Sequence, residues 1–346
     1  MLPRHSSSEI EEIWGSENER RLMRQLWLHH RAKVGPRKKR KPLKDSYPVT
    51  GHEVVDNLVE ACLEFGDGDL HWGLTSSDVV DYARISQVEA SNAVVDRKLE
   101  QVWFQWEAWL KRNDMKTPGR THLLLAAPSS FANSLGPSIA LLGLSFLDRP
   151  KISFKPLRGP TGASPVATKL PLNPQVQSRC GQTTDGKGYF DSMAWLAGIS
   201  RALYKLAQDV RLLDAFGEVW FNKGIGSSSL VHKVNPTLAE RVCSLAMRQP
   251  SFVNEVWMAT ATSGLERTLT DSALLRNVLP ESYHNIVKQL DDTESYLQTL
   301  KVDKAKIKSN LKDKRLKSVD KLSKLSKLIP RIDAYMELRK KHAVQR

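Results

Sequence analysis

The chain has 346 residues, 40% of them hydrophobic and 26% charged, with a formal net charge of +14. That is the composition of a globular protein with ample core material for two or three domains or one elongated one, which excludes disorder throughout. No apolar run reaches the roughly 18 residues of a membrane span, the opening MLPRHSSSEIEEIW lacks the apolar stretch of a signal peptide, and the three cysteines stand apart with no CxxC spacing, so a reduced, cytoplasmic protein without membrane, disulfide or zinc is expected.

In chain order, Glu9 to about Lys33 carries apolar residues at helical spacing (Ile10, Ile13, Leu22, Leu26) and predicts a helix. Residues 31–44 then hold eight Lys or Arg and no acid, with prolines that break the pattern. A second helix fits His52 to Phe65, ended by GDGD. From Ser77 to about Asn113 the chain has neither Gly nor Pro and predicts one helix much longer than average. Another helical stretch is predicted from about Ser129 to Leu147. Proline and glycine recur between Arg149 and Gln182, which predicts loop or short extended structure. Further helices fit Tyr189–Val219, Thr237–Thr262 and Glu281–Lys301, with GIGSSSLVHKVNP interrupting at residues 224–236. The tail from residue 301 carries sixteen basic and five acidic residues. With the run 31–44, it accounts for the basic excess and leaves the remaining chain mildly acidic. The charge is therefore no continuous nucleic-acid footprint; attraction of small anions or plain solubility explains it equally well. No internal repeat or useful alternating β pattern is present. The expected class is mostly α, an elongated long-helix bundle with a long-helix core over 76–300, an N-terminal helical domain over 1–75 and a short Lys-rich segment over 301–346.

Four polar islands fall at the predicted helix ends, where unpaired backbone N–H groups suit anions. The first, His71-Trp72-Gly73-Leu74-Thr75-Ser76-Ser77-Asp78, also reads as a plain N-cap with Ser77 or Asp78 as the cap. The second, Gly119-Arg120-Thr121-His122 followed by Ala127-Pro128-Ser129-Ser130-Phe131, contains a histidine that is structural as readily as catalytic. The third is the Gly/Ser loop, which on its own is an ordinary turn. The fourth runs Glu266-Arg267-Thr268-Leu269-Thr270-Asp271-Ser272 to Arg276. Ser272 and Arg276 at i,i+4 share one helix face, as phosphate ligands or as a solvated salt-bridge face.

In order, the islands resemble one superfamily. Gly226, Ser227, Ser228, Lys233, Asn235 and Pro236 match the fumarase/aspartase signature GSSxMPxKxNP, preceded by HWGLTSSD and GRTH…PSSF in the order that superfamily requires. Arg4-His5-Ser6 with Glu9, His52-Glu53-Val54-Val55, LRGPTGAS, GQTT, ERVCSLA and LERTLTDS are similar to segments of the adenylosuccinate lyase family. The resemblance covers roughly residues 4–300. It implies β-elimination from a succinyl-purine nucleotide without metal or organic cofactor. Ser227 would be the base, with its alkoxide stabilised by Lys233 and backbone N–H groups, and His122 the acid. Lys233 and Asn235 would hold the carboxylate that gathers charge, with Ser228 as a substrate contact. Thr75, Ser76 and Thr121 would bind the succinyl carboxylates. Arg4, His5, Arg267, Ser272 and Arg276 match the phosphate grip; Gln182, Arg241, His52 and His71 match further pocket residues. The family pattern also implies a homotetramer in which three subunits build each site, which gives the long apolar faces a partner.

The chain departs from that pattern at Leu230 and Val231, which replace Met and Pro, at His5 in place of Tyr, and in a short C-terminal region. The competing readings are a lyase of the same superfamily with another fumarate-releasing substrate, such as argininosuccinate, and a silent homologue serving as a scaffold or nucleic-acid binder. The Arg267/Ser272/Arg276 set argues against the first. The joint presence of Ser227, His122, Lys233 and Asn235 argues against the second.

Overall fold

The computed structural model describes residues 6–35, 43–154, 157, 175–176, 181–221, 230, 233–265 and 267–317. Its axis is α4 (Ser76–Asn113), 38 residues long and about 57 Å from end to end. A helix this long needs partners along its whole length, and buried residues recur from Val79 to Trp109. Along it run α7 (Lys187–Ala215) and α9 (Ser272–Leu297), with α8 (Thr237–Ala261) packed between them. Cross-helix contacts fix the directions. Tyr283 meets Asn92, Lys98 meets Asp291 and Gln105 meets Glu294, so α4 and α9 run parallel. Arg248 meets Glu281 and Arg241 meets Asp292, so α8 runs against them. Ser192 beside Asn92 and Ser200 beside Gln289 set α7 parallel to α4 and α9.

The predicted first helix is split at Gly15 into α1 (Ser8–Trp14) and α2 (Ser16–Val34), and α3 (Glu53–Phe65) follows as expected. One continuous hydrophobic core joins Ile10 of α1 to Ile307 near the other end of the chain. The helix expected to start after Pro280 begins instead at Ser272 and runs through that proline. Proline costs a helix interior about 3 kcal/mol, and the buried stripe Leu275, Val278, Leu279, Tyr283 and Ile286 offsets it by continuing the face that packs on the core.

The helix predicted over 129–147 is present as α5 (Phe131–Ser134) and α6 (Gly136–Leu144), interrupted at Leu135. What the sequence pattern missed lies before it: Lys116–Thr121 (β1) and Leu124–Ser130 (β2) form an antiparallel hairpin. The side chain of Ser130 caps α5 by accepting from the Asn133 N–H at 3.3 Å. Short pairings complete the described chain: β3 (Ser153–Phe154) with β4 (Gln175–Val176), and β5 (Val219–Trp220) with β6 (Lys301–Val302). After β6 come α10 (Lys304–Leu311) and α11 (Lys314–Lys317), which pack on the hairpin. Among the described residues no helix is long and apolar enough to cross a membrane, and Cys62 and Cys243 are buried free thiols.

Candidate active site

The bundle's parallel helices bring the N-termini of α4, α7 and α9 to one end, where their backbone N–H groups and dipoles favour anions. At the start of α4 the cap is Thr75, ahead of both caps expected from the sequence, Ser77 and Asp78. The Thr75 N–H donates to Asp78 Oδ2 at 2.9 Å, and the two residues form a capping box. The Thr75 hydroxyl also accepts from Gln182 Nε2 at 2.8 Å, while Ser77 Oγ donates to the Gln182 carbonyl at 3.0 Å. Thr75, Ser77 and Gln182, more than a hundred residues apart in sequence, therefore form one hydrogen-bonded unit. Ser76 stands half-buried in the first turn beside them.

His71 precedes this unit. The Trp27 indole N–H donates to its Nδ1 at 2.8 Å. An indole nitrogen only donates, so Nδ1 is unprotonated and the neutral ring carries its proton on Nε2. Burial pushes the imidazole below its ordinary pKa, the Asp78 charge opposes, and His30 adds to the depression. His30 is also held down by burial, and its Nε2 lies 2.9 Å from the Trp72 carbonyl.

The fourth island begins α9 at the same end. Ser272 and Arg276 do stand one turn apart on that helix. Arg276 Nη1 lies 3.4 Å from Glu53 Oε2 on α3, directly after the exposed N-cap residue His52. Burial, then the Glu53 charge, raises the Glu19 carboxyl nearby, and Arg276 and Arg84 oppose. Arg267 Nε is buried and, among the described residues, has no hydrogen-bond partner, an arrangement suited to receiving an anion. The sequence marked Asp78 as a candidate cap and Glu53 as part of a family-like segment, but their pairings with Thr75 and Arg276 emerge only in the fold.

The remaining residues sit elsewhere. Thr121 and His122 are exposed at the tip of the β1–β2 hairpin. Beside that tip, Leu123, Arg120 and Asn133 face Lys205, Asp209 and Phe216 of α7 and its end across a cleft of about 350 Å³. Lys205 is eighteen residues into α7, about 27 Å of helix from the Gln182 end. Lys233 is exposed and Asn235 half-buried just before α8, whose start lies at this second end. Arg241 is already engaged: Nε and Nη2 each donate to the buried Asp292 carboxylate at 2.5 Å, and this hydrogen bond raises the guanidinium pKa further. Arg4, His5, Ser227 and Ser228 lie outside the described residues. One subunit thus gathers His52, His71, Thr75, Ser76, Gln182, Arg267, Ser272 and Arg276 at one end. It leaves Thr121, His122, Lys233, Asn235 and Arg241 toward the other. Among the described residues no group of His, Cys, Asp or Glu could hold a metal ion.

The fold is one found in solved lyase and lactonizing enzymes. A fumarate lyase from Mesorhizobium superposes with a TM-score of 0.71 at 19% identity, covering 90% of this chain and 79% of that one. A 3-carboxy-cis,cis-muconate lactonizing enzyme from Pseudomonas putida does so at 0.72 and 18%, covering 88% and 78%. The sequence relatives are adenylosuccinate lyases: the enzyme of Pyrococcus abyssi is 28% identical over 295 residues, 75% of this chain and 61% of its own. That of Saccharomyces cerevisiae is 30% identical over 264 residues, 68% of this chain and 55% of its own. The chain is similar to the adenylosuccinate lyases and spans 50% to 61% of the length of the curated relatives it matches first. No family model matches it.

Proposed function

We propose that the protein is a carbon–nitrogen lyase that releases fumarate from adenylosuccinate or a closely related succinyl-purine nucleotide and leaves an AMP-type product. The observation that carries this reading is the polar unit of Thr75, Ser77 and Gln182 beside neutral His71, at the same bundle end as Arg267, Ser272 and Arg276. Hydroxyl and amide donors at gathered helix N-termini suit carboxylates, and the arginines suit a phosphate. Similarity to adenylosuccinate lyases supports the substrate class.

The reaction removes a proton from the succinyl carbon beside a carboxylate. The electron pair forms the fumarate double bond as the C–N bond breaks, and the departing nitrogen takes up a proton. On this reading Ser227 accepts the carbon-bound proton and His122 donates to nitrogen. Lys233 and Asn235 stabilise the charge that spreads into the carboxylate in the transition state. The neutral ring of His71, with its proton on Nε2, offers a donor to the substrate without adding a charge.

The division of these residues between two ends of one bundle supports an assembled site. About 27 Å of α7 alone separates the Gln182 unit from the hairpin, more than one substrate spans. We propose a homotetramer in which different subunits supply the two sets. The test follows ultraviolet absorbance with adenylosuccinate for the parent chain, Ser227→Ala and His122→Ala. Turnover by the parent and losses of roughly 100-fold or more in each variant are expected. A parent that turns over no succinyl-purine substrate overturns the lyase reading, and unchanged variants overturn the two assignments.

A further inference from the structure

We infer that Glu218 is a positioning residue for His122, acting through Arg120, an inference that rests on the lyase reading above. The Glu218 side chain is fully buried, and a buried carboxylate persists only when charge and hydrogen bonds compensate its lost hydration. Its compensation comes from the hairpin and from α10. Arg120 grips it with two prongs, Nη2 to Oε1 at 2.6 Å and Nη1 to Oε2 at 3.0 Å. Asn310 Nδ2 donates to Oε1 at 2.8 Å. The Glu218 backbone is itself pinned, because its carbonyl accepts from the Asp303 N–H at 3.0 Å, directly beside the β5–β6 pairing.

Arg120 stands two residues before His122, where a register shift interrupts the hairpin ladder between Gly119 and Arg120. Its guanidinium lies 4.0 Å from the centre of the Phe216 ring, so one face and the N–H edge are both constrained. The turn beyond it has a conformational problem. His122 and Leu123 take φ of 53° and 63°, the left-handed region that two-residue hairpin turns normally fill with Asn or Gly. A histidine and a leucine do not hold that turn by local preference. The ladder ends at Thr121–Leu124, so the nearest strong tertiary anchor to the strained tip is the Arg120–Glu218 pair. Removing it frees the register shift and lets the imidazole leave its geometry. The same carboxylate ties the hairpin to Asn310, which gives α10 a part in holding the acid in place.

The experiment compares the full-length parent with Glu218→Gln, Arg120→Lys and Asn310→Ala in steady-state turnover of adenylosuccinate, together with amide hydrogen exchange of residues 116–130. Misplacing a catalytic group by about 1 Å costs on the order of 100-fold in rate. Glu218→Gln and Arg120→Lys are therefore expected to lower kcat by about that factor and to change KM by less than about threefold. Asn310→Ala, which removes one prong, is expected to lose less. The double Glu218→Gln/Arg120→Lys variant should fall little further than the worse single, because the two side chains act as one unit. Faster exchange at the hairpin tip should accompany the loss of kcat. Should Glu218→Gln not fold, Arg120→Lys decides, since it keeps the charge and loses the fork. A folded variant with kcat within about twofold of the parent and unchanged exchange overturns the inference. A parent without turnover overturns the lyase reading instead, and the clamp is then judged by the exchange alone, unchanged exchange in the variants refuting it.

Discussion

Replacing His71 by Asn isolates a single buried titration. In the folded protein the ring must remain neutral to accept the Trp27 indole N–H at Nδ1; protonation places a second donor against the first and charges a ring that burial already holds below its ordinary pKa. The folded-state value is depressed, so the unfolded chain binds the proton more readily, and stability is present above the ordinary value of about 6.5 and lost as pH falls below it. If the folded ring stays neutral, the loss reaches about 0.4 kcal/mol at pH 6.5 and about 1.4 kcal/mol at pH 5.5. Asn keeps an acceptor for the indole and does not titrate. The assay is the urea midpoint of both proteins at pH 7.5, 6.5 and 5.5. With an m-value near 3 kcal/mol per molar, the parent is expected to lose up to about 0.5 M more than His71→Asn by pH 5.5. His30 and His284, also depressed by burial, remain in both proteins and drop out of the difference to first order. Parallel midpoints across the range would refute the buried, singly protonated ring.

Two further outcomes are expected. Mixing Thr75→Ala chains with His122→Ala chains and allowing exchange should restore turnover that neither variant shows alone, because mixed assemblies contain sites with both intact ends; mixed oligomers without recovered activity contradict the shared site. Arg241→Ala should lower stability by about 2–3 kcal/mol while leaving KM nearly unchanged, since it strips a two-pronged partner from Asp292, which is 2% exposed, and leaves it Lys288 at 3.1 Å. A large rise in KM with an unaltered denaturation midpoint would instead place Arg241 at the substrate.

How much of this could be read from the chain depended on the range of the interaction involved. The long α4 was legible because an unbroken run of helix formers with apolar periodicity specifies a helix locally, and the signature residues from Gly226 to Pro236 were legible as a motif. Helix continuation through Pro280 was not, since proline is a local veto and the buried stripe that overrides it exists only after packing. The β1–β2 hairpin was hidden for a related reason: Thr117–Ser130 has no alternating pattern, and its turn uses His122 and Leu123 in place of Asn or Gly. Arg241 read as a substrate contact through the family resemblance, and its pairing with Asp292, fifty-one residues away, is visible only in the folded chain. By itself, then, the sequence determined the helical class, the order of the polar islands and the residue types that elimination chemistry needs. The tertiary structure decided which of them meet, joining Thr75 to Gln182, Arg276 to Glu53 and Arg120 to Glu218 while holding the His122 hairpin away from the Gln182 unit. Helix propensity is a property of neighbouring residues, whereas a site is made by helix direction and length, and the parallel course of α4, α7 and α9 is set only when their apolar faces are buried together.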